Sequence, residues 1–212
     1  MKLYEYGPSR SIRVRWVMEE LGIPIESVTV NLGKGEHRSP EFLKINPAGK
    51  LPVLVDGELV LTESAAIVVH LAEKYPEKRL IPADPAGRAE FFRWLFFIVT
   101  ELEQPLWRMT RHTSLYPEDK RLPAEIALAR EDFAPTAQVM EDHMQGREFV
   151  VGDHVTAADF VLAYTLDWAK SFKALSSFPA LNAYRDRMYA RPHAPRHMRD
   201  IILELRRQAA AG

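Results

Sequence analysis

The chain has 212 residues, 28 Lys and Arg against 29 Asp and Glu, and 47% hydrophobic side chains, enough to bury the cores of one or two small domains and without the basic excess that nucleic-acid binding demands. Cysteine is absent, which excludes disulfides, thiolate metal sites and a protein thiol nucleophile. No apolar run reaches the roughly 18 residues that a membrane span needs, and MKLYEYG lacks the apolar stretch of a signal peptide, so the expected setting is the cytoplasm, with no membrane, nucleic acid or metal among the partners.

Residues 2–6 predict a short strand, broken by Gly7-Pro8-Ser9. A helix follows, with Val14, Val17, Met18 and Leu21 at i, i+3, i+4 and i+7, closed by Gly22. Residues 25–30 form a second strand after one crossover helix, and so should lie parallel to the first. Residues 51–55 and 59–61 flank Asp56-Gly57-Glu58 as a hairpin whose Asp-Gly turn supplies positive φ. Residues 62–75 read as a capped helix with Val68, Leu71, Ala72 and Tyr75 on one face. The order is therefore βαβ, a short helix, then ββα. Three prolines between residues 76 and 85 mark a linker, and helical patterns fill the rest. Phe92, Leu95, Phe96, Val99 and Leu102 mark a long amphipathic helix, with a break at Pro105, and residues 126–144 mark another. Residues 157–164 are apolar almost all round and belong at the centre of a bundle, opened by a capping box of Thr156 and Asp159. The expected domains are 1–76 and 88–212, joined by a linker at 77–87.

Three strings carry candidate chemistry. GPSRSIRVRW, residues 7–16, sets Ser9, Arg10 and Ser11 at a strand-to-helix junction. The helix N-terminus favours an anion there by roughly 0.3–1 kcal/mol, and a hydroxyl donating to a charged group adds about 1.5–3 kcal/mol. Lowering a thiol by two units from its usual pKa of about 8.5 requires roughly 2.7 kcal/mol, which the two effects reach together. The alternative is that Ser9 or Ser11 only caps the helix. In NPAGKLPVL, residues 46–54, Pro52 cannot donate to a sheet ladder and belongs at a strand's first residue. A cis Leu51-Pro52 bond would turn the chain there, leaving backbone groups of Val53 for an extended peptide ligand. An ordinary edge strand opened by a proline is the alternative. In Thr62-Glu63-Ser64-Ala65, at another helix start, Ser64 with two backbone N–H groups suits a carboxylate and Glu63 suits an ammonium, as in an amino-acid head. Here too a simple cap by Thr62 or Ser64 is the alternative. Each string is weak alone; their conjunction in this order, ahead of residue 66, is not.

SRSIRVRWVMEELGIP, NPAGKLPVL, TESAAIVVHLAEKY and GDHVTAADFVLAY together resemble the glutathione transferase family over nearly the whole chain. The resemblance implies an α/β, thioredoxin-like N-terminal domain (βαβ-α-ββα) that binds glutathione, followed by an all-α C-terminal helical bundle that carries the second substrate. It implies a cis Leu51-Pro52 bond, backbone pairing of Val53 with the cysteinyl part of glutathione, and a grip on the γ-glutamyl head by Glu63 and Ser64. The first loop is similar to that of serine-type, theta-like bacterial members, in which a hydroxyl holds the thiolate. Ser9, just before Arg10, is the preferred candidate. Ser11 is the rival, because it sits where cysteine-type bacterial members place their key residue when the loops are slid by two. If neither acts, backbone amides or Arg10 hold the sulfur. His37 resembles a theta-type histidine that reaches the glycyl carboxylate, with Lys50 assisting.

Trp107, Arg108, Arg111 and Tyr116 form the expected wall for a hydrophobic electrophile, against core packing for the aromatics and a solvated face for the arginines. Tyr4 either packs in the core or edges the site. The absent cysteine, with no tyrosine in the loop after residue 6, argues against omega-like and beta-like thiol reductases and leaves reactions in which glutathione itself is the nucleophile. The implied function is conjugation, with glutathione as co-substrate and no metal. A glutathione-dependent isomerase, dehalogenase or peroxidase, or a non-catalytic interaction module, are the alternatives. Members pair as two-fold dimers, so a homodimer is implied.

Overall fold

The computed structural model describes residues 1–211. Four short strands, β1 (Lys2–Glu5), β2 (Glu26–Thr29), β3 (Val53–Asp56) and β4 (Leu59–Leu61), form one sheet in the order β2-β1-β3-β4. Helix α1 (Ser11–Leu21) is the crossover that returns the chain to the starting end of the sheet, so β2 lies parallel to β1, with Lys2 opposite Glu26 and Glu5 opposite Thr29. β3 runs antiparallel to β1, pairing Tyr4 with Val53, and β4 returns beside β3 with Leu61 opposite Leu54. The hairpin turn needs less than the Asp-Gly pair was expected to supply: Gly57 takes φ 63°, while Asp56 stays in β3.

The apolar stripe of α1 is buried as its periodicity predicts, and the helix stops at Gly22, whose φ of 71° turns the chain and directs its N–H to the Glu19 carbonyl at 3.0 Å. On α2 (Pro40–Ile45), Phe42 packs with Val30 and Val53 in a cluster that Tyr4, Ile45 and Leu51 surround. α3 (Ser64–Lys74) buries Ile67, Val68, Leu71 and Ala72, each large side chain contributing about 1.5–3 kcal/mol.

The helical part comprises α4 (Pro85–Phe97), α5 (Glu103–Thr110), α6 (Pro123–Met144), α7 (Ala157–Ser171) and α8 (Pro179–Tyr189). Pro85, expected in the linker, is the first residue of α4: its ring pre-sets the helical φ, and the Asp84 carboxylate caps the helix by accepting the Gly87 N–H at 2.8 Å. The expected break at Pro105 does not occur. A first π-helical turn, Ile98–Leu102, joins α4 and α5 into one helical run, and a second, Arg111–Leu115, continues it beyond α5. The first turn takes the hydrogen-bond ladder out of α register just before the N–H that Pro105 lacks, and Gln104 and Thr100 side chains donate to the Val99 and Phe96 carbonyls at 3.2 and 2.9 Å.

The buried face of α4 is also displaced from the expected one. Phe91, Trp94, Leu95, Ile98 and Leu102 are buried, Phe92 and Val99 are half-buried, and Phe96 is 58% exposed. FFRWLFFIV is apolar on two faces, and periodicity alone cannot choose between them. α7 is buried from Ala157 to Ala169, Asp159 included. The Asp159 carboxylate accepts the Thr156 N–H at 2.7 Å, the Val150 N–H at 2.9 Å and the Tyr184 hydroxyl at 2.7 Å, although burial still pushes its pKa up.

The chain divides into two compact units, Met1–Ile81 with the chain from Pro192 onward, and Pro82–Arg191. The final helix α9 (Met198–Ala211) thus groups with the sheet rather than with the bundle to which its helical character had assigned it. Its Ile201 lies 3.7 Å from where a Cβ on Gly7 would stand. Among the described residues no helix is long and apolar enough to cross a membrane.

Candidate functional site

Strand polarity delivers the N-terminal candidates to one end of the sheet. β1 ends at Glu5 and leads to Ser9; parallel β2 ends beside it at Thr29 and leads to His37. Antiparallel β3 begins at that same end with Val53, and β4 finishes there before Glu63 and Ser64. The Leu51-Pro52 bond is cis, as expected, and so is Gly7-Pro8. Pro52 and Val53 are buried, and Leu51 is half-buried. The β3–β4 register starts at Leu54, so Val53 lies beyond the end of that ladder.

The first loop closes on two hydroxyls. The Ser9 hydroxyl donates to the Tyr6 carbonyl at 2.5 Å and accepts the Ser11 N–H at 3.1 Å, and its oxygen is 2.8 Å from that of Ser11. Because the single proton of Ser9 goes to Tyr6, Ser11 must donate in the contact between the two hydroxyls. Ser9 is half-buried and Ser11 is only 1% exposed. Arg10 holds the N-cap position of α1 with helical backbone angles and makes no side-chain cap bond, so the N–H of Ser11, the first helical residue, is taken up by the Ser9 hydroxyl.

The start of α3 carries no such bond from its N-cap residue. Glu63 occupies that position with φ 63°. A non-glycine residue held at positive φ stores strain of about 1–3 kcal/mol, a cost that concentrates at ligand clamps. Ser64 instead accepts from Arg13, whose Nε and Nη2 lie 2.9 and 2.6 Å from its hydroxyl oxygen. Arg13 and Ser64 are each only 2% exposed.

The 46–50 turn is built by buried Asn46, whose amide donates to the Lys50 carbonyl at 2.8 Å and accepts the Ala48 N–H at 3.1 Å. Gly49 has φ 59°, and a Cβ there would stand 2.9 Å from the His37 carbonyl oxygen, so this turn lies against the His37 segment. Lys50 is exposed and His37 half-buried. Burial, and then the Arg38 charge, push the His37 imidazole toward its neutral form, and its Nδ1 is shut from solvent without a hydrogen-bond partner among the described residues. Tyr4 is half-buried at the rim of the Val30, Phe42 and Val53 cluster, meeting Phe42 edge-on at 6.1 Å.

In the helical unit, Trp107 stands edge-on to Trp168 at 6.5 Å, and the Trp168 indole donates to the Thr110 hydroxyl at 3.0 Å. The Arg111 guanidinium lies 4.7 Å from the Tyr116 ring centre. Arg108 is ion-paired and partly exposed. Its guanidinium is committed to Glu125, at 3.1 Å, and to Asp132, both on α6. Sequence reasoning passed over Arg13 and Asn46. The signal for Arg13 was a cation on the apolar stretch of α1; Asn46 gave only its place before a proline. Among the described residues no group of three or more His, Asp or Glu could hold a metal.

Comparison with known proteins adds independent findings. Residues 1–73 match the model of the glutathione S-transferase N-terminal domain, and residues 108–192 that of the C-terminal domain. The chain is similar to a zeta-class glutathione S-transferase of Euphorbia esula, 40% identical over 76% of this chain and 72% of the relative. It is also similar to glutathione S-transferase theta-2B of Homo sapiens, 34% identical over 96% of this chain and 86% of the relative. Its fold is similar to that of the glutathione transferase URE2P6 of Phanerochaete chrysosporium, solved in complex with oxidized glutathione, with a TM-score of 0.82 and 28% identity over 91% of this chain and 92% of that one.

Proposed function

Because this chain belongs to the glutathione S-transferase family, we propose that it activates the thiol of glutathione as thiolate and conjugates it to a hydrophobic electrophile bound by the helical domain. The observation that carries this reading is the Ser9–Ser11 pair at the start of α1. In the proposed mechanism the Ser9 hydroxyl turns from the Tyr6 carbonyl to the glutathione sulfur, while Ser11 continues to donate to Ser9. Donation from behind polarises the Ser9 O–H and strengthens the hydrogen bond it makes forward. Ser9 thus holds the thiolate, and buried Ser11 supports it. Arg10 and the helix N-terminus add positive potential.

The remaining roles follow the chemistry of the tripeptide. Val53 pairs with the cysteinyl backbone after cis Pro52 and Leu51, Glu63 meets the γ-glutamyl ammonium, and Ser64 meets its carboxylate. His37 and Lys50 serve the glycyl carboxylate. Trp107, Arg111 and Tyr116 line the electrophile side, an aromatic surface with one cation. The same reading makes the protein a homodimer, for which the 58% exposed Phe96, stacked on Phe92 at 6.1 Å, supplies an apolar surface.

The test is the ultraviolet absorbance of glutathione thiolate, titrated in the presence of the protein and followed by a rate with a generic aryl halide. The expected result is an ionisation midpoint one to two units below that of free glutathione, roughly 1.4–2.7 kcal/mol of preferential thiolate binding. Calorimetric binding without any midpoint shift would overturn the enzymatic reading.

A further inference from the structure

The helical run that carries Trp107 ends in the π-helical turn Arg111–Leu115, which Tyr116 closes by donating its N–H to the Arg111 carbonyl at 2.9 Å. From there residues 116–122 turn back to α6, whose N-cap position Leu122 holds and whose first residue is Pro123. His112 joins the two sides of this turn: its Nδ1 accepts the Leu122 N–H at 3.1 Å. A ring nitrogen that receives an amide proton carries none of its own, so the neutral imidazole bears its hydrogen on Nε2. Protonation of His112 fills Nδ1, and the Leu122 N–H then faces another donor. The same ring meets Tyr116 edge-on at 5.0 Å, and the Arg121 Nε donates to the Tyr116 carbonyl at 2.8 Å. Release of Leu122 therefore loosens the turn to which Tyr116 belongs. The release is local, because Arg108, four residues before His112, still ties α5 to α6 through Glu125 and Asp132.

We propose that His112 is a positioning residue for the electrophile side: its neutral ring holds the 116–122 turn, and Tyr116 with it, and its protonation lets that turn go. Imidazole is the side chain whose charge changes between about pH 5 and 8, so an aromatic group bound against Tyr116 loses its support as the medium turns mildly acidic. The charged groups around the ring are Arg111 and Arg108 on its own helical run, the latter engaged by Glu125 of α6, with Tyr116 and Arg121 on the turn. Glu118, Asp119 and Lys120 are exposed, where solvent and salt screen them. The inference rests on the glutathione reading above, which sets Tyr116 on the electrophile side. Two substitutions separate the roles of the ring. Asparagine offers a side-chain oxygen in place of Nδ1 and takes up no proton, whereas phenylalanine keeps a ring edge against Tyr116 and has no acceptor.

The test uses two thioethers, S-benzylglutathione and S-methylglutathione, whose Kd values are measured by calorimetry at about pH 7.5 and about pH 5.5. Neither carries a thiol, and any titration among the groups that hold the tripeptide acts on both, so their ratio reports the electrophile side alone. Wild type is expected to prefer the benzyl thioether at the higher pH and to lose about fivefold of that preference at the lower, the weight of one hydrogen bond. Hydrogen exchange at the Leu122 amide, corrected for the intrinsic rate at each pH, should speed up over the same interval. His112→Asn should keep the preference at both pH values, and His112→Phe should show the low preference at both. A wild-type preference that does not change with pH overturns the proposal, as does a loss that persists in His112→Asn. Leu122 exchange as slow in His112→Phe as in wild type at the higher pH also overturns it, because the amide then needs no imidazole acceptor. In each of these cases binding of both thioethers leaves the transferase reading standing. Binding of neither at either pH would sink that reading, and this inference with it.

Discussion

Ser9 has one proton and two claimants for it, the Tyr6 carbonyl at 2.5 Å and, in the proposed reaction, a sulfur. Ser9→Ala removes the forward donor. Its kcat/KM is expected to fall about 10- to 100-fold, with the bound thiol midpoint rising by about one unit, as the loss of a hydrogen bond to a charged group implies. A titration of thiolate absorbance checks the second figure independently of the rate. Ser11→Ala removes a buried supporting hydroxyl, and its expected mark is a stability loss of about 1 kcal/mol in urea unfolding, with a smaller change in rate than that of Ser9→Ala. A larger rate effect for Ser11 than for Ser9 would exchange their roles. Arg108 poses the opposite case. Because Glu125 and Asp132 hold its partly exposed guanidinium, Arg108→Ala should cost at most about 1 kcal/mol of stability and leave the KM for the electrophile unchanged in steady-state kinetics.

Two element ends depend on single carboxylates. At the start of α7, Asp159 accepts from the backbone of Thr156 and Val150 and from Tyr184. Asp159→Ala would strand several buried donors at once, so we expect a loss of about 3–5 kcal/mol, read as a lower urea midpoint by circular dichroism. At the end of β3, Asp56 accepts from Lys74 at 2.5 Å and contacts the His70 ring at 3.0 Å, both on α3. These partners, Lys74 foremost, hold the Asp56 pKa below its ordinary 3.8. A carboxylate with a depressed folded-state pKa stabilises the fold above its unfolded value and loses that contribution as pH falls through the folded one. The Tm difference between wild type and Asp56→Asn should therefore be constant near neutral pH and shrink below about pH 4. A difference that stays flat to lower pH would show that the ion pair contributes nothing.

For the whole molecule, sedimentation equilibrium should give about twice the chain mass of 24.3 kDa, and Phe96→Glu should shift the protein toward monomer, since a charge on a buried apolar contact is strongly unfavourable. A wild-type monomer would remove the dimer from the functional reading. The sequence by itself determined the strand and helix order, the stop at Gly22, the cap at Thr156 and Asp159 and the place of Pro52, because each depends on local chemistry: periodicity, a left-handed φ, a side chain reaching three residues along. The tertiary structure alone decided which face of FFRWLFFIV is buried, that α9 groups with the sheet, that the helix runs on through Pro105, and that Ser64 accepts from Arg13. Those outcomes depend on partners far away in sequence, 51 residues in the case of Arg13 and Ser64. A one-dimensional pattern records which side chains are apolar or charged, but not which distant atom will be waiting for them.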